Sequence, residues 1–97
     1  MRPLLVGDVD FAHRAVLAQP EEEWRAFLKH LITAADEAEA YRKHNDAPHP
    51  DYGTGSLMAV ALRHKQDGSS MVYTEKTCRA MITVLEVLIE MQKTRDP

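Results

Sequence analysis

Hydrophobic residues recur every three or four positions in four stretches of the chain, and nowhere do they alternate as a half-buried strand requires. The longest stretch carries Trp24, Phe27, Leu28, Leu31, Ala35 and Ala38 on one helical face, large residues first and small ones later, so its second half is expected to pack closely. Gln19-Pro20 followed by three glutamates marks its start. Proline lacks the N–H that a first turn leaves unpaired, and carboxylates favour the positive end of a helix dipole. A helix from Pro20 to about His44 would measure about 37 Å at ~1.5 Å per residue, which predicts a far end projecting from a small domain.

Ahead of that helix, Asp8 is placed to cap a short one running to about Ala18, with Val9, Ala12 and Val16 on one face and Phe11 and Ala15 beside them. Behind it, Asn45 to Gly53 combines turn formers with Pro48 and Pro50, which cannot continue a helix. Thr54 or Ser56 can cap a third helix over about residues 56–64, where Leu57 to Leu62 is apolar nearly all round and is expected to insert centrally. Lys65 to Ser70 reads as a polar turn, and Thr74 as the cap of a last helix ending near Thr94.

The last helix is apolar over most of its circumference. Cys78, Met81, Ile82, Leu85, Leu88 and Ile89 line one face, and Ala80, Val84, Val87 and Met91 a second. Either it is central to one core or its second face meets a partner, which makes Val84, Val87 and Met91 the candidate interface. Glu86 and Glu90 repel across one turn unless a cation lies between them, and Arg42 is the candidate neighbour. Within this pattern Cys78 is expected as a packed, inert thiol. The fold class is therefore all-α: a compact bundle of three to four helices in a single domain over residues 1–97, with one long helix and an apolar C-terminal helix.

Composition narrows the partners. Twelve basic against fifteen acidic side chains, with no basic cluster, offer no field for a phosphate backbone, so nucleic acid is not an expected partner. The longest apolar run has six residues, against the ~20 of a spanning helix, and the N-terminus lacks the apolar segment of a secretion signal. A single cysteine adds a reduced compartment, and together these predict a cytoplasmic protein without membrane contact.

Candidate chemistry concentrates in the loop. Gly53-Thr54-Gly55-Ser56 ahead of a helix could offer N–H groups and hydroxyls to an anion or small ligand, with Arg42, His49 and Tyr52 nearby in sequence. No lysine follows the glycines and no strand precedes them, so a structural turn and cap is the competing reading. His44 and His49, interleaved with Asp46 and Asp51, match no metal-ligand spacing, and no metal or cofactor is assigned. Ser56 beside His49 is the conceivable nucleophile, while Cys78 sits in apolar surroundings, so no catalytic residue is assigned. The pairs Glu21–Arg25 and Glu39–Lys43 read as a solvated helix face.

The segment Ala35-Asp36-x-Ala38-x-x-Tyr41-Arg42, followed by His49-Pro50-x-Tyr52-Gly53-x-Gly55-Ser56-Leu57-Met58-Ala59, resembles a family of short uncharacterised alphaproteobacterial proteins. Met1 to Leu5 and Val84 to Leu88 extend the resemblance over most of the chain. It implies a bacterial cytoplasmic origin and a compact helical fold, and it directs attention to Asp36, Tyr41, Arg42, His49, Tyr52 and Ser56 as one candidate site. The resulting expectation is a non-enzymatic interaction module that self-associates as a homodimer or binds another protein. The alternative is a small-ligand or anion site at the 49–56 loop.

Overall fold

Four helices pack around one interior in a computed structural model that describes residues 1–68 and 72–95. They are α1 (Val6–Leu17), α2 (Trp24–Asn45), α3 (Leu57–Ala61) and α4 (Glu75–Arg95), with a 3-10 turn at Glu21–Glu23 ahead of α2. No strand occurs among the described residues; His49 and Gly53 form only an isolated bridge. Ser69, Ser70 and Met71, the end of the expected polar turn, lie outside the described residues, as do Asp96 and Pro97.

The N-terminal boundaries differ from the sequence expectation for local reasons. α1 begins two residues before Asp8, with Leu5 in the extended N-cap conformation. Asp8 is the third helical residue and reaches back, its Oδ2 accepting from the Leu5 N–H at 2.7 Å. Pro20 heads the 3-10 turn rather than an α-helix, and the Trp24 indole donates to the Gln19 carbonyl at 3.1 Å, tying the helix start to the preceding loop. α2 ends where Asp46 takes a left-handed conformation (φ 53°) and its N–H bonds the Arg42 carbonyl at 2.8 Å.

α3 is shorter than expected. It stops at Ala61, whose carbonyl accepts from the Gln66 side chain at 2.8 Å, so the chain turns instead of adding another helical turn. Thr74 precedes α4 and exchanges hydrogen bonds with Thr77: the Thr77 hydroxyl accepts from the Thr74 N–H at 2.7 Å, and the Thr74 hydroxyl accepts from the Thr77 N–H at 3.3 Å.

The core joins Ala12, Ala15 and Val16 of α1 to Leu28, Leu31 and Ile32 of α2, with Leu57 and Val60 of α3 and Ala80, Val84 and Val87 of α4. Each large aliphatic side chain withdrawn in this way stabilises the fold by about 1.5–3 kcal/mol. Leu57, Val60 and Ala61 are all buried, so α3 is inserted centrally even though it spans five residues. The buried face of α2 ends at Glu39, and its last turn reaches beyond the core, in a molecule whose long dimension is 42 Å.

Candidate functional site

The 49–56 loop is built by its own side chains. The His49 Nδ1 accepts from the backbone N–H groups of Asp51 and Tyr52 at 3.0 and 3.2 Å, closing the turn that Pro48 and Pro50 prevent from being helical. Its ring stacks on Tyr52 at 4.7 Å and meets the edge of Tyr41 at 4.9 Å, so three of the expected site residues form a ring cluster covering the projecting end of α2. Gly53 and Gly55 both take positive φ, 83° and 101°, which side-chain-bearing residues rarely adopt.

The helix start behind this loop has its own anion. Ser56 caps α3, its hydroxyl accepting from the Ala59 N–H at 3.0 Å, while Asp8 Oδ1 accepts from the Met58 N–H at 2.9 Å. One buried carboxylate thus joins α1 to α3, accepting from Leu5 with one oxygen and Met58 with the other. Arg42 and Ser56, expected to converge on a ligand, have separate partners: Arg42 bonds Glu39 and Ser56 serves its own helix. Asp8→Ala should lower stability by about 2 kcal/mol, because two helix starts lose a charged acceptor at once. Chemical denaturation checks this, and Ser56→Ala, which removes one cap, should cost about half as much.

Glu39 is not on a solvated face. It is buried, bonded by Arg42, with Arg2 and Lys43 at 3.7 and 3.9 Å. The Arg42 hydrogen bond holds its carboxyl below the usual carboxylate range against the opposing effect of desolvation, with the charges of Arg42, Lys43 and Arg2 adding to the same shift. Asp36, one turn earlier, receives the N-terminal ammonium at 2.7 Å. The Glu39–Lys43 pairing was legible as an i, i+4 pair, whereas the burial of Glu39 and the contacts of Arg2 and Met1 were not, since these two lie more than thirty residues from their partners.

A second buried polar group, His13, was also missed. Its side chain is fully enclosed in α1, its ring stacks on Tyr73 at 6.4 Å, and its Nδ1 lies 3.5 Å from the Asp10 carboxylate. A histidine between Ala12 and Arg14 in an apolar helix carries no sequence signal that separates it from a surface residue. Among the described residues, no group of three metal-ligating side chains comes together.

The outward face of α4 departs from expectation. Val84 and Val87 are fully buried and Met91 packs against the core, so the proposed interface residues have their partners inside this chain. The physical reason is that α1 and α2 both contact α4 on that side, filling it. The other apolar face is divided: Leu88 is buried with the core and Met81 half-buried, while Ile82 at 53%, Leu85 at 45% and Ile89 at 53% are exposed, with Cys78 also exposed instead of packed. The cation between Glu86 and Glu90 is Arg25 of α2, at 3.3 and 2.5 Å, and not Arg42. Arg79 reaches Glu21 at 3.1 Å and Glu75 at 2.8 Å, so the rim of α4 nearest α2 is a line of ion pairs.

A family model described as a domain of unknown function, DUF7742, matches residues 2–88. The chain belongs to that family. The DUF7742 match covers α1 to α3, the whole 49–56 loop, and α4 as far as Leu88, taking in Cys78, Ile82 and Leu85. No curated protein and no solved structure matches this DUF7742 chain. No helix among the described residues is long and apolar enough to cross a membrane.

Proposed function

We propose that this DUF7742 protein is a non-enzymatic helical interaction module that pairs with a second copy of itself through the outward face of α4. The observation that carries the reading is the exposed row Cys78, Ile82, Leu85 and Ile89, spaced four, three and four residues apart. That spacing is the seam of a two-helix coiled contact, with isoleucine and leucine alternating along it. Water-facing positions of a helix that already has a filled core face gain nothing from this pattern, and soluble monomers seldom leave such a row uncovered. A seam on one helix also suits a twofold pair, in which the same patch serves both subunits. The exposed thiol of Cys78 fits a reducing compartment, which for this protein is the cytoplasm.

The groups of the 49–56 loop support a structural role, since His49 Nδ1 and the Ser56 hydroxyl accept from neighbouring backbone N–H groups, and Arg42 of α2 donates to Glu39. Sedimentation velocity over a concentration series tests the proposal. The wild type should sediment at twice the monomer mass, and Leu85→Glu should weaken association by at least about tenfold, the effect of ~1.4 kcal/mol or more lost at the seam, while preserving the helical signal. A wild type that stays monomeric at several hundred micromolar would sink the reading.

A further inference from the structure

Resting on the self-association proposed above, we infer that the two copies pair with their α4 helices antiparallel, Cys78 against the partner's Ile89 and Ile82 against the partner's Leu85. The two flanks of the seam decide the orientation, because they differ in chemistry. One flank carries Met81 and opens on a groove of about 530 Å³ that Met81 lines together with Val6, Gly7, Val9, Asp10 and Tyr73. The opposite flank carries Glu75, Arg79, Glu86 and Lys93, backed by Arg25 and Glu21 of the neighbouring segment.

Two parallel helices related by a twofold axis set the left flank of one beside the right flank of the other. Here that would press charged side chains against a largely apolar groove whose carboxylate, Asp10, is already paired with Arg14, desolvating most of them without partners. An antiparallel pair sets like beside like. The two grooves then meet across the axis, closing Val6 and Tyr73 away from water, and the two charged flanks face each other.

Charge order along the second flank agrees with that orientation and selects a register. When all four seam residues are paired, the midpoint lies between Ile82 and Leu85, and positions equidistant from it come level. Arg79 is then level with the stretch between the partner's Glu86 and the partner's Glu90, and Lys93 with the neighbourhood of the partner's Glu75. Each of these juxtapositions sets a basic residue beside acidic ones, which Arg25 and Arg79 of their own chain also approach, so the partner's cation joins an existing ion-pair network. Sliding the helices by seven residues in either direction leaves seam residues of both chains unpaired and loses this matching.

Cys78 is the single cysteine of the chain and lies in the seam, which makes the orientation directly readable. The protein is treated with a mild oxidant as wild type, as Ile89→Cys, and as the double variant Cys78→Ser/Ile89→Cys, with products separated on non-reducing gels and masses measured in parallel by sedimentation. The expected result is a disulfide-linked dimer from Ile89→Cys alone. The two cysteines of one chain are about 16 Å apart along the helix, beyond the reach of an internal disulfide. Wild-type dimers that crosslink through Cys78, or double-variant dimers that crosslink through residue 89, would overturn the antiparallel arrangement while leaving self-association intact. A wild type that sediments as a monomer would remove the underlying reading instead.

A charge exchange gives a second readout that needs no thiol. Lys93→Glu should raise the dimer dissociation constant about two- to fivefold, the range of exposed ion pairs, and adding Glu75→Lys should restore it. Failure of the second substitution to rescue the first, in a protein that still dimerises, would reject the proposed register.

Discussion

Gly55→Ala is expected to destabilise the protein by about 3 kcal/mol, lowering the thermal midpoint by roughly 12 °C or more. Two costs add. The φ of 101° lies where a side chain meets the neighbouring carbonyl, a strain of about 1–2 kcal/mol. A Cβ placed there would also stand 2.5 Å from the Glu39 Oε2 and 2.9 Å from the Glu39 Cα, and the latter contact is with backbone that cannot swing aside. The loop must therefore lift from α2, which disturbs the hydrogen bond from the Arg2 N–H to the Gly55 carbonyl at 2.9 Å. Gly7→Ala is the control: the added carbon would meet only the Met58 sulfur at 3.4 Å, at a helical position where alanine is favoured by about 0.5–1 kcal/mol. Differential scanning calorimetry of the two variants beside wild type separates these outcomes. A Gly55→Ala midpoint within two or three degrees of wild type would mean that the loop does not sit against α2 as described.

Val84→Asp should abolish cooperative unfolding at 25 °C, whereas the adjacent Leu85→Asp should leave a folded chain. Val84 is fully buried between the helices, and a carboxylate there either stays ionised without a partner or takes up a proton to become neutral. Such a substitution costs about 4 kcal/mol or more, a large share of the ~5–15 kcal/mol that holds a domain of this size together. Leu85 is 45% exposed, so the same carboxylate reaches water. Far-ultraviolet circular dichroism with a urea titration is sufficient to compare them. Similar urea midpoints for the two variants would contradict the assignment of the buried and exposed faces of α4.

That contrast between neighbours shows where reading the chain by itself reached its limit. Four helices, the break between α2 and α3 and the Thr74 start of α4 were all legible, because each depends on residues within a few positions of one another. Pro48 and Pro50 cannot be helical whatever surrounds them, and Thr74 meets Thr77 only three residues later. The central position of α3 was legible too, since a segment apolar on every side has no face to give to water.

The direction in which α4 faces was another matter. Periodicity showed two apolar faces but not which one the rest of the chain covers. α1 and α2 settle that by packing over Val84 and Val87 and taking in Leu88 from the edge of the other face, leaving Ile82, Leu85 and Ile89 outside. The ion pairs follow the same rule: Glu86 and Glu90 find Arg25, 61 and 65 residues away, while Glu21 finds Arg79, 58 residues away. Asp8 was legible as an acceptor at the start of α1, but its second bond, to Met58 fifty residues later, exists only because α1 and α3 pack together. Helix formation and its interruptions depend on hydrogen bonds and side chains close in sequence, so the sequence by itself determined them. The covered face, the buried carboxylates and the exposed seam of α4 depend on residues brought together from distant parts of the chain, and only the tertiary structure decided those.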